Sequence, residues 1–341
     1  QAANAAGTRP SLLTLHVKDY TQWEYSSAIT FPGYDDNNTL VDFPVYLEID
    51  PAQIPGFSYE QFDSAAGYDL RFVGPDEAEE LRYEQVQWNP AGISTFWVRV
   101  PELKKDTAIK AIWGNPNATS QPAYCKDGSL WDRYHAVWHM DGDDPDVVRE
   151  SRASLHGSPN NFGPDPRVQG IIGKALSFDG TNDYVDLPIE AHPPGEAKQL
   201  TISFWSHGGN SLPKDTRILE SGSSLGVHLR TYLPYSDGRI IWDAGSGSID
   251  RIEKTDLDFS GDWVHWAFQK ESGFGVMLIY KNGEPWHSLY GRTRPFGGPV
   301  TSFKLGANRL ADGAGNDQYW HGWLDEVRIS LDLEPAAAIK A

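Results

Sequence analysis

His228, Arg230 and Tyr232 lie two residues apart, so on a strand their side chains share one face. Trp242 and Asp243 add an indole and a carboxylate, and Trp286, His287 and Tyr290 are candidates for a rim. Sugars are held by aromatic faces stacked on their C–H surfaces, with Arg, Asp, Asn and His bonding the hydroxyls. His228, Arg230, Tyr232, Trp242, Asp243 and Trp286 therefore form a candidate ligand-binding set. A second chemistry is suggested by Asp141-Gly142-Asp143-Asp144-Pro145-Asp146, because clustered carboxylates are the hard oxygen donors Ca²⁺ prefers. It is not an EF-hand loop: the sixth position is Asp146 rather than Gly, and the twelfth is Arg152 rather than Glu. Asp179-Gly180-Thr181-Asn182-Asp183-Tyr184 reads either as a cation loop or as a hairpin whose Asp and Asn side chains cap their own backbone.

Other patterns fail on context. His135 and His139 have the spacing of a zinc helix, but the position after His135 is Ala136, not the Glu that would serve as base. The stretch reads as strand, which sets the two imidazoles about 13 Å apart. Gly222-Ser223-Ser224-Leu225-Gly226 matches a nucleophile elbow, which needs a helix after it; Val227 to Tyr232 is strand-like instead. Glycosidase chemistry needs two carboxylates at a set separation. The nearest pair, Asp325 and Glu326, points to opposite faces of a regular strand.

These residues sit in an all-β pattern. Short alternating runs such as Phe43–Ile49, Thr95–Val100 and Thr107–Trp113 are bounded by Gly, Pro, Asn and Asp. Val276–Tyr280, the turn Lys281-Asn282-Gly283 and Pro285–His287 form the clearest hairpin. The chain has 341 residues, enough for two domains, and the boundary falls near Gln121 to Ser129, giving 1–125 and 126–341. Of the 13 Trp most must be core, and Trp205, Trp263, Trp266 and Trp323 are assigned to packing. A formal charge of −18 repels phosphate backbones and argues against nucleic acid as partner. There is no apolar run of membrane-spanning length. The single Cys125 excludes a disulfide framework and reads as a small buried side chain. The small residues Gln1 to Ala6 are of the kind that follow a signal-peptide cleavage site, which suggests a mature exported fragment. The C-terminal Pro335 to Ala341 carries no stop signal and permits continuation into a membrane domain.

Gly173–Gly180, Asp183-Tyr184-Val185, Leu200–Trp205 and Trp323–Ile329, in this order, resemble the laminin-G-like, concanavalin A-like jelly roll of secreted bacterial proteins. Trp23-Glu24-Tyr25, Phe43-Pro44-Val45, Asp69–Phe72, Leu81–Glu84, Phe96–Pro101 and Trp113-Gly114-Asn115 resemble an uncharacterised exported bacterial domain that commonly precedes it. Some members of that family continue into a proton channel of the MotA/TolQ/ExbB type. The resemblance implies two β-sandwiches, the second a jelly roll, in a periplasmic, cell-surface or secreted protein. It also implies one structural Ca²⁺ where the first and last strands meet, with Asp141 and Asp325 as the leading ligands and Asp179 and Asp183 as further candidates. The jelly-roll glucanases carry two Glu flanking an Asp on one strand, and no such run occurs here. Polysaccharide lyases of this fold use Tyr, His and Arg or Gln on the concave sheet, which His228, Arg230, Tyr232 and Trp242 could mimic. The expected function is non-catalytic binding of a polysaccharide, glycoprotein or other protein ligand. The alternatives are a cargo-capturing periplasmic ectodomain of a channel-type transport protein and a polysaccharide-degrading enzyme.

Overall fold

The computed structural model describes residues 20–340 except 225, 258, 260 and 310–314. The segment before Tyr20, Leu225 of the Gly-Ser-rich match and Ala341 lie outside the described residues. Strands hold 44% of the described residues and helix 5%, so the fold is all-β as expected. It divides into two compact units. One comprises Pro44–Cys125 with the described residues before Asn38, the other Asn38–Phe43 with the described part of Lys126–Ala341.

In the first unit a four-stranded sheet runs Tyr25–Thr30, Ala108–Trp113, Arg71–Val73, Glu80–Leu81. A three-stranded sheet runs Leu40–Ile49, whose first four residues are grouped with the second unit, then Ser94–Leu103 and Tyr83–Gln87. Their inward faces meet through Phe72, Tyr83 and Phe96, with ring centroids 5.3–6.2 Å apart and edge to face, the arrangement aromatic quadrupoles favour. Asp69 is fully buried there and accepts hydrogen bonds from the backbone N–H groups of Asp63, Ser64 and Gly114. The Asp-Leu-Arg-Phe motif is thus a loop anchor: one carboxylate satisfies three amides that would otherwise be unpaired. Cys125 is buried, as expected of a small apolar side chain.

The second unit is a sandwich of two large sheets. The seven-stranded sheet runs Asp250–Thr255, Arg239–Ala244, Gly226–Tyr232, Leu219–Ser223, Ser302–Leu305, Tyr184–Asp186, Ser158–Asn160. The eight-stranded sheet runs Arg167–Gln169, Lys174–Asp179, His321–Ser330, Gln199–Gly208, Trp263–Glu271, Val276–Lys281, Glu284–Leu289, with Ala136–Trp138 also paired to His321–Ser330. Phe178, Phe204, Trp242, Trp266, Phe268 and Trp320 fill the space between them. The hairpin at Asn282-Gly283 forms as read, with φ of +50° and +79° at its two central residues. Gly283 is required twice over, since a Cβ there would stand 2.9 Å from the backbone of Lys340 in the C-terminal helix.

Among the described residues Glu150 is the acceptor for a whole loop. Its Oε1 accepts from the N–H groups of Val137 and Arg152, and its Oε2 from those of Ala153 and Leu155. The side chain is buried, and four charge-assisted bonds offset its desolvation.

Candidate functional site

The alternation at His228, Arg230 and Tyr232 does place them on one face of the seven-stranded sheet, opposite the core residue Leu229. Their surroundings differ from the open sugar platform that the spacing suggested. His228 is 2% exposed and lies under His192, ring centroids 5.5 Å apart. Tyr232 is 6% exposed, with the Arg217 guanidinium 3.9 Å from its ring centre. Trp242 points the other way: it is fully buried in the core and donates its indole N–H to the Gln269 carbonyl, so it cannot stack on a ligand. Trp286 is on the other sheet, packed edge-on to Trp266 at 5.7 Å and covered by Lys254 Nζ at 4.5 Å.

Asp243 is saturated rather than available. Arg230 and Arg251, on the strands either side, each donate two hydrogen bonds to it, at 2.6–2.9 Å. The strand register extends this pair into a row across six strands: Asp186, Lys304, Glu220, Arg230, Asp243, Arg251. Signs alternate at every step, so each charge faces opposite neighbours. The middle is dry, with Glu220 and Asp243 at 6% and 0% exposure, and the row meets solvent at its ends. Bonding to Asp243 holds the Arg251 guanidinium above its ordinary range.

At the Asp186 end the row opens into a concavity of about 380 Å³. Asp186, Lys304, Asn316, Thr301 and Ser302 bring polar groups to it, and Leu187 and Ile189 form an apolar wall. Lys304 Nζ is held by Asp186 and stands 4.5 Å over the Tyr184 ring. Asp186 also accepts from the Asn160 amide at 3.3 Å. None of these pocket residues was singled out from the sequence. The signal is the pairing of positions 118 residues apart, which no local pattern carries.

The four candidate metal ligands separate into two places. Asp179 Oδ1 accepts from the N–H groups of Thr181 and Asn182, and Asp183 Oδ2 accepts from the Asp179 N–H. This is the self-capping hairpin, and burial pushes the Asp183 carboxyl up to about 6. Asp325 is fully buried; its Oδ2 accepts from the N–H groups of Ile171 and Ile172, and its Oδ1 has no hydrogen-bond partner among the described residues. Burial, then the neighbouring Glu326 charge, raises it to about 8. Asp141 borders the same 170–173 turn: its Oδ2 lies 3.8 Å from where a Cβ on Gly173 would stand. No group of three His, Cys, Asp or Glu side chains that could hold a metal exists among the described residues.

Asp325 and Glu326 do not take opposite faces, as a regular strand requires. The register with the Gln199–Gly208 strand shifts between Ser203 and Trp205, and Glu326 has φ +50°. Two residues then separate the core positions Leu324 and Val327, and both carboxylates leave the core. Glu326 Oε1 meets His139 Nδ1 at 2.7 Å and its Oε2 accepts from Arg328 at 2.7 Å. His139 is thus committed to Glu326, while His135 Nε2 lies 3.2 Å from the Glu190 carbonyl, so the two do not converge. The described part of Gly222–Gly226 is a hairpin between two strands, the wrong context for a nucleophile elbow.

Residues 179–337 match the laminin-G-like family model described as the concanavalin A-like lectin/glucanases superfamily, and this stretch is a domain of that class. Among solved structures, domain 4 of AbnA, an extracellular arabinanase from Geobacillus stearothermophilus, in complex with arabinotriose, is 22% identical with a TM-score of 0.47, over 61% of this chain and 97% of that one. The receptor binding domain of botulinum neurotoxin C/D mosaic serotype is 11% identical with a TM-score of 0.47, over 61% of this chain and 50% of that one. The ligand binding domain of botulinum neurotoxin serotype D, in complex with N-acetylneuraminic acid, is 13% identical with a TM-score of 0.45, over 61% and 50%. The chain spans about half the length of these toxin domains. No curated protein sequence matches it. No described helix is long and apolar enough to cross a membrane.

Proposed function

We propose that the chain is a non-catalytic recognition module for an extracytoplasmic glycan, and that the second domain binds it in the pocket at the Asp186–Lys304 end of the charge row. The observation that carries this reading is the convergence of a carboxylate, an ammonium, an amide and two hydroxyls over an apolar wall in one concavity. That is the donor and acceptor mixture a polyol needs, beside a surface for its C–H faces. Lys304 is already held between Asp186 and Tyr184, so little side-chain freedom is lost on binding. The carboxylates deeper in the row, Glu220 and Asp243, are engaged by arginines and support binding and stability rather than acid–base work. A glycan array on the purified chain tests the reading. Lys304→Ala and Asn316→Ala should each weaken a defined hit about tenfold or more, about 1.4 kcal/mol. A blank array, or a hit indifferent to both changes, refutes it.

One structural Ca²⁺ accompanies this reading. Asp325, through Oδ2, and the Asp141 carboxylate border the 170–173 turn, and the partnerless buried Oδ1 of Asp325 is what favours a cation beside it. When bound, the ion would neutralise the two carboxylates and tie the turn to the last strand. Ca²⁺ at a hundredfold over its Kd should raise the melting midpoint by about 5–10 °C relative to a chelator. Equal midpoints in both conditions, or an undiminished response in Asp325→Asn, would remove the metal from the account.

A further inference from the structure

The outer face of the eight-stranded sheet carries an aromatic row that sequence reading had placed in the core. Trp266 is core, at 1% exposure, but Trp205, Trp263 and Trp323 are not. Along Gln199–Gly208 the inward positions are Leu200, Ile202 and Phe204, which turns Trp205 and His207 outward. The register sets His207 directly opposite Trp263 on one side and Trp323 on the other. The imidazole stacks on Trp323 at 4.3 Å and 22°, and meets Trp263 at 5.8 Å and 68°. All three are half-buried in the intact chain. Beyond Trp323 the next residue in the row is Ser177, too small to cover the indole face turned away from His207. In the adjacent row His321 stands opposite Asp179, with its Nδ1 2.7 Å from the Ser211 hydroxyl.

A solvated sheet face is ordinarily polar, so three neighbouring rings on one need an occupant. The row itself contains no aliphatic side chain and no carboxylate, ammonium or guanidinium group; the adjacent rows hold His321 and Asp179 on one side and His265, Trp205 and Asp325 on the other. Rings framed by hydrogen-bonding groups suit the C–H faces and hydroxyls of sugars better than the aliphatic anchors of a protein partner. With the chain at −18, polyanionic polysaccharides are repelled. Across three strands the row spans about 10 Å. We infer that Trp263, His207 and Trp323 form a stacking surface for an uncharged glycan chain, distinct from the pocket on the opposite sheet.

The test is calorimetric titration of the full chain with cellohexaose, xylohexaose and mannohexaose, with polygalacturonate as the anionic control. At least one neutral hexasaccharide should bind and quench tryptophan fluorescence. Trp323→Ala should weaken it tenfold or more, while Phe274→Ala, at an exposed ring outside both the row and the pocket, leaves this binding unchanged. Ser177→Gln, which covers the indole without removing it, should act like Trp323→Ala and guards against misfolding of that variant. The inference is overturned if none of the three binds, if binding survives both Trp323→Ala and Ser177→Gln, if it is lost in Lys304→Ala alone, or if polygalacturonate binds more tightly. Loss in Lys304→Ala alone would leave the pocket reading intact.

Discussion

Asp243→Ala should destabilise the second domain by about 3–5 kcal/mol, one of the two largest effects expected of any single change described here. The carboxylate is fully buried and takes two hydrogen bonds from each of two guanidinium groups. Removing it leaves Arg230 beside Arg251 with no intervening negative charge, and Arg230 is only 15% exposed in its side chain. The damage propagates, because Arg230 also balances Glu220 and lies 5.1 Å from the Tyr232 ring centre. Substitution at the solvated end should be far milder: Asp186→Ala removes a carboxylate 46% exposed and should cost under about 1 kcal/mol. Denaturant titration followed by tryptophan emission measures both. A loss below 1 kcal/mol for Asp243→Ala would mean that the arginines find water and that the row is not a dry network.

The second large effect is a pH dependence carried by His192. Burial, then the neighbouring His228, lowers its pKa to about 3, and neither ring nitrogen has a well-formed hydrogen bond among the described residues. In the unfolded chain the imidazole titrates near 6.5. The neutral form is therefore favoured by folding: the contribution is complete above pH 6.5 and is lost as pH falls toward 3. Asp183 and Asp325, raised to about 6 and about 8, act in the opposite sense, so the whole-protein profile mixes signs. Comparison with His192→Gln isolates the histidine. The stability difference between the two proteins should shift in the variant's favour by about 1.4 kcal/mol per pH unit below 6.5. A difference that stays constant from pH 7 to pH 4 would show that His192 is solvated in the folded protein.

The fold was more legible than the site, for a physical reason. Strands announce themselves locally, through alternation and through turns such as Asn282-Gly283. Leu200, Ile202 and Phe204 alternate with Ser203, Trp205 and His207 plainly enough that the outward indole could have been read from parity alone. Trp242 was harder, because Ile240-Ile241-Trp242 is apolar on both faces and offers no parity signal. The charge row was beyond reach. Its six members belong to six strands, and only the pairing register places Lys304 between Asp186 and Glu220. The shift at Asp325–Glu326 is likewise a property of two strands together: nothing in Trp323–Ile329 alone says that a residue is added there.

The Glu150 carboxylate sets how its loop can move. Four amides, from Val137, Arg152, Ala153 and Leu155, share two oxygen atoms. None of them can swing out gradually while the others stay, because the carboxylate would be left buried with too few donors. The segment therefore opens as one cooperative unit or not at all, and its breathing is tied to the strand Ala136–Trp138 that lies against the last strand of the sheet. A single acidic side chain thus couples what looks like an irregular excursion to the strand framework of the domain.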